Sequence, residues 1–235
     1  MTGLQPEGPT CRPGRVEDAP VPATPELIHQ CYSRVEFYQP LYGITGLEEP
    51  LRACRDRALA IEAALAPLGQ GFRLVDFGSS LGYFPFFFAD RGASTAGFDI
   101  NPENTALAQA CQRLNGLPAE FRTAPLDLDT VRAIAPGTFD VALVLSVLHH
   151  INLRFGLDYV KQLLAELLAR VPVLVLELAH RDEPVQFAWR SALPADPLEI
   201  LAGCGNVQVQ ELARSQSHLS DSTRPLVVVM ATPAG

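Results

Sequence analysis

An acidic residue and two glycines form the spaced motif D-x-G-x-x-x-G at Asp76, Gly78 and Gly82. The apolar residues 74–77 around the acid predict a buried strand, and an apolar helix follows the second glycine. A second short strand then ends on another acid, Asp99. A strand, a glycine loop, a helix and an acid that closes the next strand are typical of a nucleotide-binding β-α-β unit.

The glycine spacing narrows the class of nucleotide. A dinucleotide site has the motif G-x-G-x-x-G, and reading from Gly78 this sequence has Ser80 and Tyr83 where that motif requires glycine. The spacing D-x-G-x-x-x-G instead resembles the first motif of class I S-adenosylmethionine (SAM) methyltransferases, where no pyrophosphate has to be held. We therefore expect SAM as the cofactor and S-adenosyl-L-homocysteine (SAH) as its product.

Each residue of this motif has a definite chemical use in such a site. Gly78 lets the backbone approach the ligand because it has no Cβ, and it tolerates a positive φ. Asp99 can accept charge-assisted hydrogen bonds from both ribose hydroxyls. Asp76 can face the amino group of the methionine moiety directly or through water. The alternative is a β-α turn of the core that binds no ligand.

Histidines and arginines are the candidate residues for the methyl acceptor. His149 and His150 follow the fourth predicted strand, where the acceptor should meet the methyl group. A hydroxyl or amine acceptor needs a general base with a pKa near neutrality, which suits histidine. An oxyanion needs only cations and hydrogen-bond donors to position it, and Arg181, Arg224 and His218 are further candidates for that role. The alternative for either histidine of the pair is a bond to the backbone at the strand end.

The composition bounds the class of protein. The 235 residues fit one α/β domain with a small decoration, and a hydrophobic fraction of 48% is ample for its core. The net charge of −8 argues against a nucleic-acid phosphate track as the main substrate surface. The five cysteines contain no C-x-x-C pair, so we expect neither a disulfide framework nor a metal site.

The same pass along the chain addresses location. No apolar run reaches the ~18 residues of a membrane span. The N-terminus lacks the basic-then-apolar pattern of a signal peptide. We therefore expect no membrane span and a cytoplasmic location with reduced cysteines.

Strands alternate with helices along the chain, which predicts a mostly parallel, doubly wound sheet. The expected strands are 73–78, 95–99, 120–123, 139–145, 171–178, 207–213 and 226–230. The expected helices are 51–68, 83–90, 102–115, 156–170 and a short one at 197–202. The predicted class is thus α/β, a Rossmann-like sheet of seven strands with an antiparallel last strand. Ligands bind such sheets at the carboxyl ends of the strands, where the candidate residues fall.

The predicted organisation is a leader followed by one domain. Residues 1–23 are rich in proline and poor in large apolar side chains, which predicts a disordered leader. Residues 24–235 are expected to form a single methyltransferase domain, with an N-terminal helical lid at 24–70 and the Rossmann-like core at 71–235. The aromatic-rich segment 34–43 is either a lid over a bound ligand or a hydrophobic flap on the sheet edge.

Several local sequences outside and inside the core resemble one methyltransferase subgroup. They are YQPLYG (38–43), RACRDR (52–57), DINPEN (99–104), LSVLHHI (145–151), VLELAHRDEP (175–184) and HLSDSTRPL (218–226). Together they resemble the methyltransferase domain of bacterial bifunctional methyltransferase/kinases that cap and terminate lipopolysaccharide O-antigen chains. The resemblance runs from about residue 36 to residue 229. Two departures are Ser80, at the middle glycine position of the generic motif, and the absence of the kinase half.

The resemblance implies contacts to the methionine end of SAM. Tyr38 and Gln39 would fold over the cofactor, and Arg57 would pair with its carboxylate. Leu145 would pack beneath the sulfonium side. The alternatives for Tyr38 and Arg57 are an ordinary loop aromatic and a solvated helix arginine.

The resemblance also implies contacts to the adenosine end. Ile100, Asn101 and Asn104 would border the adenosine. Leu126 and Asp127 would flank the adenine, with the acid accepting a hydrogen bond from the exocyclic amine.

Three functions remain open at this stage. The first is methyl transfer by in-line displacement to a small-molecule or glycan acceptor, for which the resemblance suggests a phosphate oxyanion. The second is a methyltransferase that acts on RNA or protein, which the acidic composition disfavours. The third is a non-catalytic scaffold for a separate kinase, against which the intact Gly78, Asp99 and Asp127 count. The expected partners are the acceptor and, by resemblance, a separate kinase or glycan-assembly protein.

Overall fold

The computed structural model describes residues 39–43, 53–184, 186–216 and 222–232. The predicted leader, Tyr38, His218 and the first half of the segment 34–43 lie outside the described residues. The division of the chain into leader, lid and core therefore stays a prediction.

Helices and strands alternate along the described chain. The helices are α1 (Arg55–Leu65), α2 (Tyr83–Ala89), α3 (Pro102–Asn115), α4 (Leu128–Arg132), α5 (Leu148–Phe155) and α6 (Leu157–Leu168). The strands are β1 (Arg73–Phe77), β2 (Ser94–Asp99), β3 (Ala119–Thr123), β4 (Val141–Leu145), β5 (Val173–Glu177), β6 (Val207–Gln216) and β7 (Thr223–Ala231). Short 3-10 helices cover Ala66–Leu68, Ala188–Ala192 and Pro197–Leu201. In these ranges no helix is long and apolar enough to cross a membrane.

The strands form one seven-stranded sheet in the order β3-β2-β1-β4-β5-β7-β6. Strands β1 to β5 pair in parallel, and β7 runs antiparallel between β5 and β6. Every residue of the central strand β4, sequence VALVL, is buried, as expected of a parallel strand covered on both faces. The predicted doubly wound α/β class with an antiparallel last strand is confirmed.

The sheet is covered on both faces, and alternate residues of β1 face opposite layers. Val75 and Phe77 pack with helices α4, α5 and α6. Leu74 packs on the other face with α1 and the phenylalanines of α2. Asp76, two residues further along, shares the face of Leu74 and is buried beneath α1 and α2.

Some elements differ from the predicted ones. In the described part of the helix predicted at 51–68, which starts at residue 53, the α-helix runs from Arg55 to Leu65 and continues as a 3-10 turn, because Pro67 lacks the amide donor that an α-helix needs. The segment predicted at 197–202 is likewise a 3-10 helix. Helices α4 and α5 were not predicted, and β6 continues three residues past the predicted end at Ala213, to Gln216.

Candidate active site

The glycine loop follows β1 and is tied to the end of β2. The amides of Gly78 and Ser79 donate to the carbonyl of Phe98 at 2.7 and 3.1 Å. Gly78 has φ +77°, and a Cβ built there would lie 2.4 Å from Cγ2 of Val147. This position therefore requires glycine for both its backbone conformation and its close approach to the neighbouring loop.

Ser80, which departs from the generic motif, keeps the backbone of a glycine. Its φ is +50°, in the left-handed region that residues other than glycine, asparagine and aspartate rarely adopt. Its amide donates to Oδ2 of Asp99 at 2.8 Å. Ser80 thus has a backbone conformation that glycine favours, and the hydrogen bond to Asp99 stabilises it.

Asp99 joins the glycine loop to the start of α3. While Oδ2 accepts from the loop, Oδ1 accepts from the amide of Asn101 at 2.8 Å and lies 3.5 Å from Nδ2 of Asn104. The residue is 8% exposed. A single carboxylate at the end of β2 therefore holds both segments that would surround a ribose.

A cavity of about 850 Å³ opens above the carboxyl ends of β1, β2 and β4. It lies where the strand order reverses, between β1 and β4. The predicted site residues that line it are Gly78, Asp99, Ile100, Asn101, Asn104, Leu126, Asp127, Leu145, His149, His150 and Arg224. One continuous cavity thus brings together residues predicted for the adenosine and for the acceptor.

The end of this cavity with the residues predicted for the adenosine has an apolar wall and an acid. Ile100 lines this end of the cavity and is 67% exposed, so its side chain is accessible to a ligand. Asp127 lines the cavity, and its Oδ1 accepts from the amide of Thr130 at 2.8 Å as the N-cap of α4. One oxygen of this acid therefore has a structural role, and its contact with adenine stays a prediction.

Of the buried polar side-chain atoms that lack a hydrogen-bond partner within the described part of the chain, three belong to residues predicted for the methionine end of SAM. They are Oδ2 of Asp76, Nε of Arg57 and Oε1 of Gln39, on residues that are 1, 2 and 4% exposed. Buried polar groups are almost always satisfied, so such atoms indicate a missing ligand. A carboxyl oxygen and a guanidinium N–H fit the ammonium and carboxylate of a zwitterionic amino acid, which is the methionine end of SAM.

Arg57 also has an internal partner. Its Nη1 donates to Oε2 of Glu177 at 3.2 Å, and its Nη2 donates to the carbonyl of Ala53 and to Sγ of Cys54. The predicted contact of this guanidinium with the carboxylate of SAM would therefore use an arginine already held by a buried acid. That contact stays a prediction.

The end of the cavity with the histidines predicted for the acceptor, called the acceptor end below, is built on α5. His149 and His150 lie in the first turn of this helix rather than in a loop, with ring centroids 4.1 Å apart. The His149 ring is also 4.5 Å from the ring of Trp189. His150 is exposed, yet desolvation of its ring and the charge of Arg224 lower its pKa, which favours the neutral imidazole.

The two candidate arginines have different surroundings. Arg224 lines the cavity, and its guanidinium makes two hydrogen bonds to the buried carboxylate of Glu183, from Nε to Oε1 at 2.8 Å and from Nη2 to Oε2 at 2.7 Å. Its third contact is Nη1 to Oγ of Ser146 at 3.1 Å. The structure does not bring Arg181 to the cavity, since this exposed residue is absent from the lining.

Several residues of the cavity wall have no site role assigned from the sequence. They are Ser80, Ser146, Val147, Ile151, Arg154, Phe155, Phe187 and Trp189, with Ala124 and Pro125. Helical spacing was the available signal for Ile151 and Phe155, since Leu148, Ile151 and Phe155 recur at one face of α5. Trp189 is the one tryptophan of the chain, but nothing in its neighbourhood indicates that it turns back onto α5.

Fold and site together define the class of protein. A glycine loop after β1, an acid at the end of β2 and a cavity at the topological switch point are the features of a class I methyltransferase. Residues 75–171 match the family described as a methyltransferase domain. The chain therefore carries a class I SAM-dependent methyltransferase domain, and SAM is the cofactor of that domain.

Individual relatives indicate a narrower group within the class I methyltransferases. Two Escherichia coli proteins named O-antigen chain terminator bifunctional methyltransferase/kinase WbdD are 32% identical to this chain over 200 residues. The alignment covers 83% of this chain but 28% of the relatives' length. A co-crystal structure of WbdD superposes with a TM-score of 0.80 at 31% identity, covering 86% of this chain and 47% of that chain. The predicted resemblance is confirmed.

More distant matches agree on the fold. A ubiquinone biosynthesis O-methyltransferase of Pseudomonas aeruginosa is 28% identical over 136 residues, 58% of this chain and 53% of that protein. The magnesium protoporphyrin IX methyltransferase of Synechocystis PCC 6803, crystallised with SAM, superposes with a TM-score of 0.57 at 17% identity. It covers 87% of this chain and 91% of that chain, and at this identity it shows the fold alone.

The carboxyl group of Asp76 makes the stability of the ligand-free protein depend on pH. Burial, reinforced by the charge of Asp99 and opposed by that of Arg57, raises the pKa of Asp76 from 3.8 to about 8. Between these values the folded state holds a proton that the unfolded state has lost. The free energy of unfolding should therefore fall by about 1.4 kcal/mol per pH unit as pH rises towards 8.

Asp76→Asn tests this pH dependence because the amide has a similar shape and cannot ionise. We expect the stability of the wild type to fall relative to the variant between pH 6 and pH 8 in denaturant titrations without ligand. Parallel pH profiles of the two proteins would contradict the assignment of the proton to Asp76.

Proposed function

We propose that the protein transfers a methyl group from SAM to a small-molecule or glycan acceptor. The observation that carries this proposal is one cavity that runs from Asp99 and the glycine loop to His150, Arg224 and Trp189. Bound SAM supplies an electrophilic methyl group. The residues of the chain then have to hold the acceptor atom in line with the methyl carbon and exclude water.

Within this function we favour an oxyanion such as phosphate as the acceptor. Arg154 and Arg224 line the acceptor end, and His150, one turn before Arg154 on α5, offers a neutral imidazole N–H. An oxyanion is already a nucleophile, so these groups would position it and no proton would have to be removed. The relatives, O-antigen chain terminator methyltransferase/kinases, are in agreement with this choice.

Aromatic side chains support a glycan as the carrier of that oxyanion. Phe155, Phe187 and Trp189 line the same end of the cavity, and the rings of Phe187 and Trp189 stack with centroids 4.9 Å apart. Flat apolar faces of this kind suit the C–H face of a sugar ring. A phosphorylated sugar would thus find an apolar wall beside positive charge.

A phosphate acceptor implies a partner reaction, since phosphate must first be placed on the glycan. A separate kinase or glycan-assembly protein would supply it. We propose that the reaction takes place in the cytoplasm, since the five cysteines of the sequence lack the spacing of a disulfide framework.

An acceptor screen tests the proposed function. Purified protein and SAM are incubated with hexose phosphates, with the same hexoses unphosphorylated, and with a protein and an RNA mixture, and SAH formation is measured. We expect SAH above background with phosphorylated sugars only. Turnover of the unphosphorylated sugars alone would replace the oxyanion by a hydroxyl acceptor that needs a base, for which His150 is placed.

The remaining outcomes decide between the other functions. Turnover with the protein or RNA mixture alone would assign a macromolecular acceptor. Binding of SAH without turnover of any acceptor would favour the non-catalytic scaffold. The acidic composition argues against a protein or RNA acceptor. The cationic, aromatic wall of the cavity argues against a non-catalytic scaffold.

A further inference from the structure

A buried acid outside the cavity wall, Glu177, connects the two ends of the site. It is the last residue of β5 and is 1% exposed. Its carboxylate accepts hydrogen bonds from Nη1 of Arg57 and from the hydroxyls of Ser146 and Ser215. Ser146 lines the cavity and accepts from Arg224. Glu177 therefore touches the guanidinium predicted for the cofactor and a residue of the acceptor wall.

One guanidinium lies near two buried acids in this region. Arg57 is on α1, and both Asp76 on β1 and Glu177 on β5 point to the face of the sheet that α1 covers. Arg57 pairs with Glu177 at 3.2 Å. Asp76 keeps Oδ2 without a partner in the described part of the chain. The internal ion pair has formed with the acid that lies further from the glycine loop.

We propose that Glu177 is a positioning residue that holds Arg57 in an internal ion pair and so keeps Asp76 available for the ammonium group of the cofactor. The inference rests on the proposed use of SAM. Arg57 is held by Nη1 and Nη2, and its Nε has no partner among the described residues, so this N–H is available to the carboxylate of the cofactor. An arginine fixed in advance loses little rotamer entropy when the ligand binds.

Without the charge of Glu177, Arg57 would turn to the next buried acid, which is Asp76. The two side chains would then neutralise each other, and neither would be available to the amino-acid end of the cofactor. The loss should affect only ligands that carry that end. The adenosine contacts around Asp99 are on separate elements, β2 and α3, and should remain.

The test compares two ligands in the full chain by titration calorimetry. SAH carries the amino-acid end, and 5′-methylthioadenosine has the same adenosine and sulfur without it. We expect Glu177→Gln to weaken the binding of SAH about 10-fold or more, which corresponds to the loss of one charge-assisted hydrogen bond. The affinity for methylthioadenosine should change by about 2-fold at most. The SAH affinity of the conservative variant Glu177→Asp should lie between that of the wild type and that of Glu177→Gln.

Glu183→Gln is the matched control, since it removes the charge of another buried acid that pairs with an arginine. It should leave the ratio of the two affinities unchanged. A second readout is the pH dependence of unfolding between pH 6 and pH 8, which Glu177→Gln should remove, because Arg57 would then hold Asp76 in its ionised form. If Glu177 had only a structural role, its substitution would change neither the pH dependence of unfolding nor the ratio of the SAH affinity to the methylthioadenosine affinity.

Failure of this inference differs from failure of the proposed function. If the wild type binds neither ligand, both fall. If the wild type prefers SAH and Glu177→Gln weakens both ligands equally or neither, the positioning role is overturned and SAM binding stands. If Glu177→Gln does not fold, Glu177→Asp decides, with a lowered affinity ratio supporting the role and an unchanged ratio overturning it.

Discussion

Asp99→Ala will abolish SAH binding, with an expected loss of about 100-fold or more. The substitution removes a carboxylate that would accept two charge-assisted hydrogen bonds from the ribose, each worth about 1.5–3 kcal/mol. It also removes the acceptor that ties the amides of Ser80 and Asn101 to the end of β2. Both effects act on the same ligand, one through contact and one through the path of the glycine loop.

Titration calorimetry and the thermal midpoint with and without SAH measure this effect. In the wild type, SAH at ~100 times its Kd should add about 2.7 kcal/mol of stability, which Asp99→Ala should remove. Asp99→Asn keeps one acceptor oxygen and should bind with intermediate affinity. Asp129→Ala, an exposed acid outside the cavity wall, is the control. Normal SAH affinity in Asp99→Ala would overturn the assignment of the ribose site.

The cofactor end could be predicted from the sequence because its residues are local. Asp76, Gly78, Gly82 and Asp99 belong to one β-α-β unit, so the spacing along the chain already places them around one loop. The strands were recognisable for a similar reason. A strand covered on both faces, such as β4, has a continuous apolar sequence that few other elements have.

The acceptor end could not be predicted in the same way, because it is assembled from distant segments. Trp189 reaches α5 from a 3-10 helix, and Arg224 meets Glu183 across 41 residues. Single-sequence patterns carry no signal for such pairs. Arg181 is an example, since the sequence predicts it as an acceptor residue and the structure places it outside the cavity wall; its role stays a prediction.

Arg224→Met will destabilise the fold by about 3–5 kcal/mol, since it leaves the carboxylate of Glu183 buried without its counter-charge. The side chains of Arg224 and Glu183 are 4% and 0% exposed. The amide of His180, which donates to Glu183 at 3.0 Å, cannot replace a guanidinium that makes two such bonds. A loss of this size is a large part of the 5–15 kcal/mol that stabilises a typical domain. Denaturant titration measures it.

The double variant Arg224→Met with Glu183→Leu should recover most of that stability, because well-packed apolar side chains often replace a buried ion pair without loss. If the stability loss of the double variant equals the sum of the losses of the two single variants, the pairing of Arg224 with Glu183 is contradicted.

The double variant also separates the structural role of Arg224 from its role in turnover. Arg224 lines the cavity next to His150 and Trp189. We therefore expect a stable protein that binds SAH normally and turns over acceptor at least about 10-fold more slowly than the wild type. Unchanged turnover would show that the guanidinium only neutralises Glu183, and Arg154 would then be the cation that faces the acceptor.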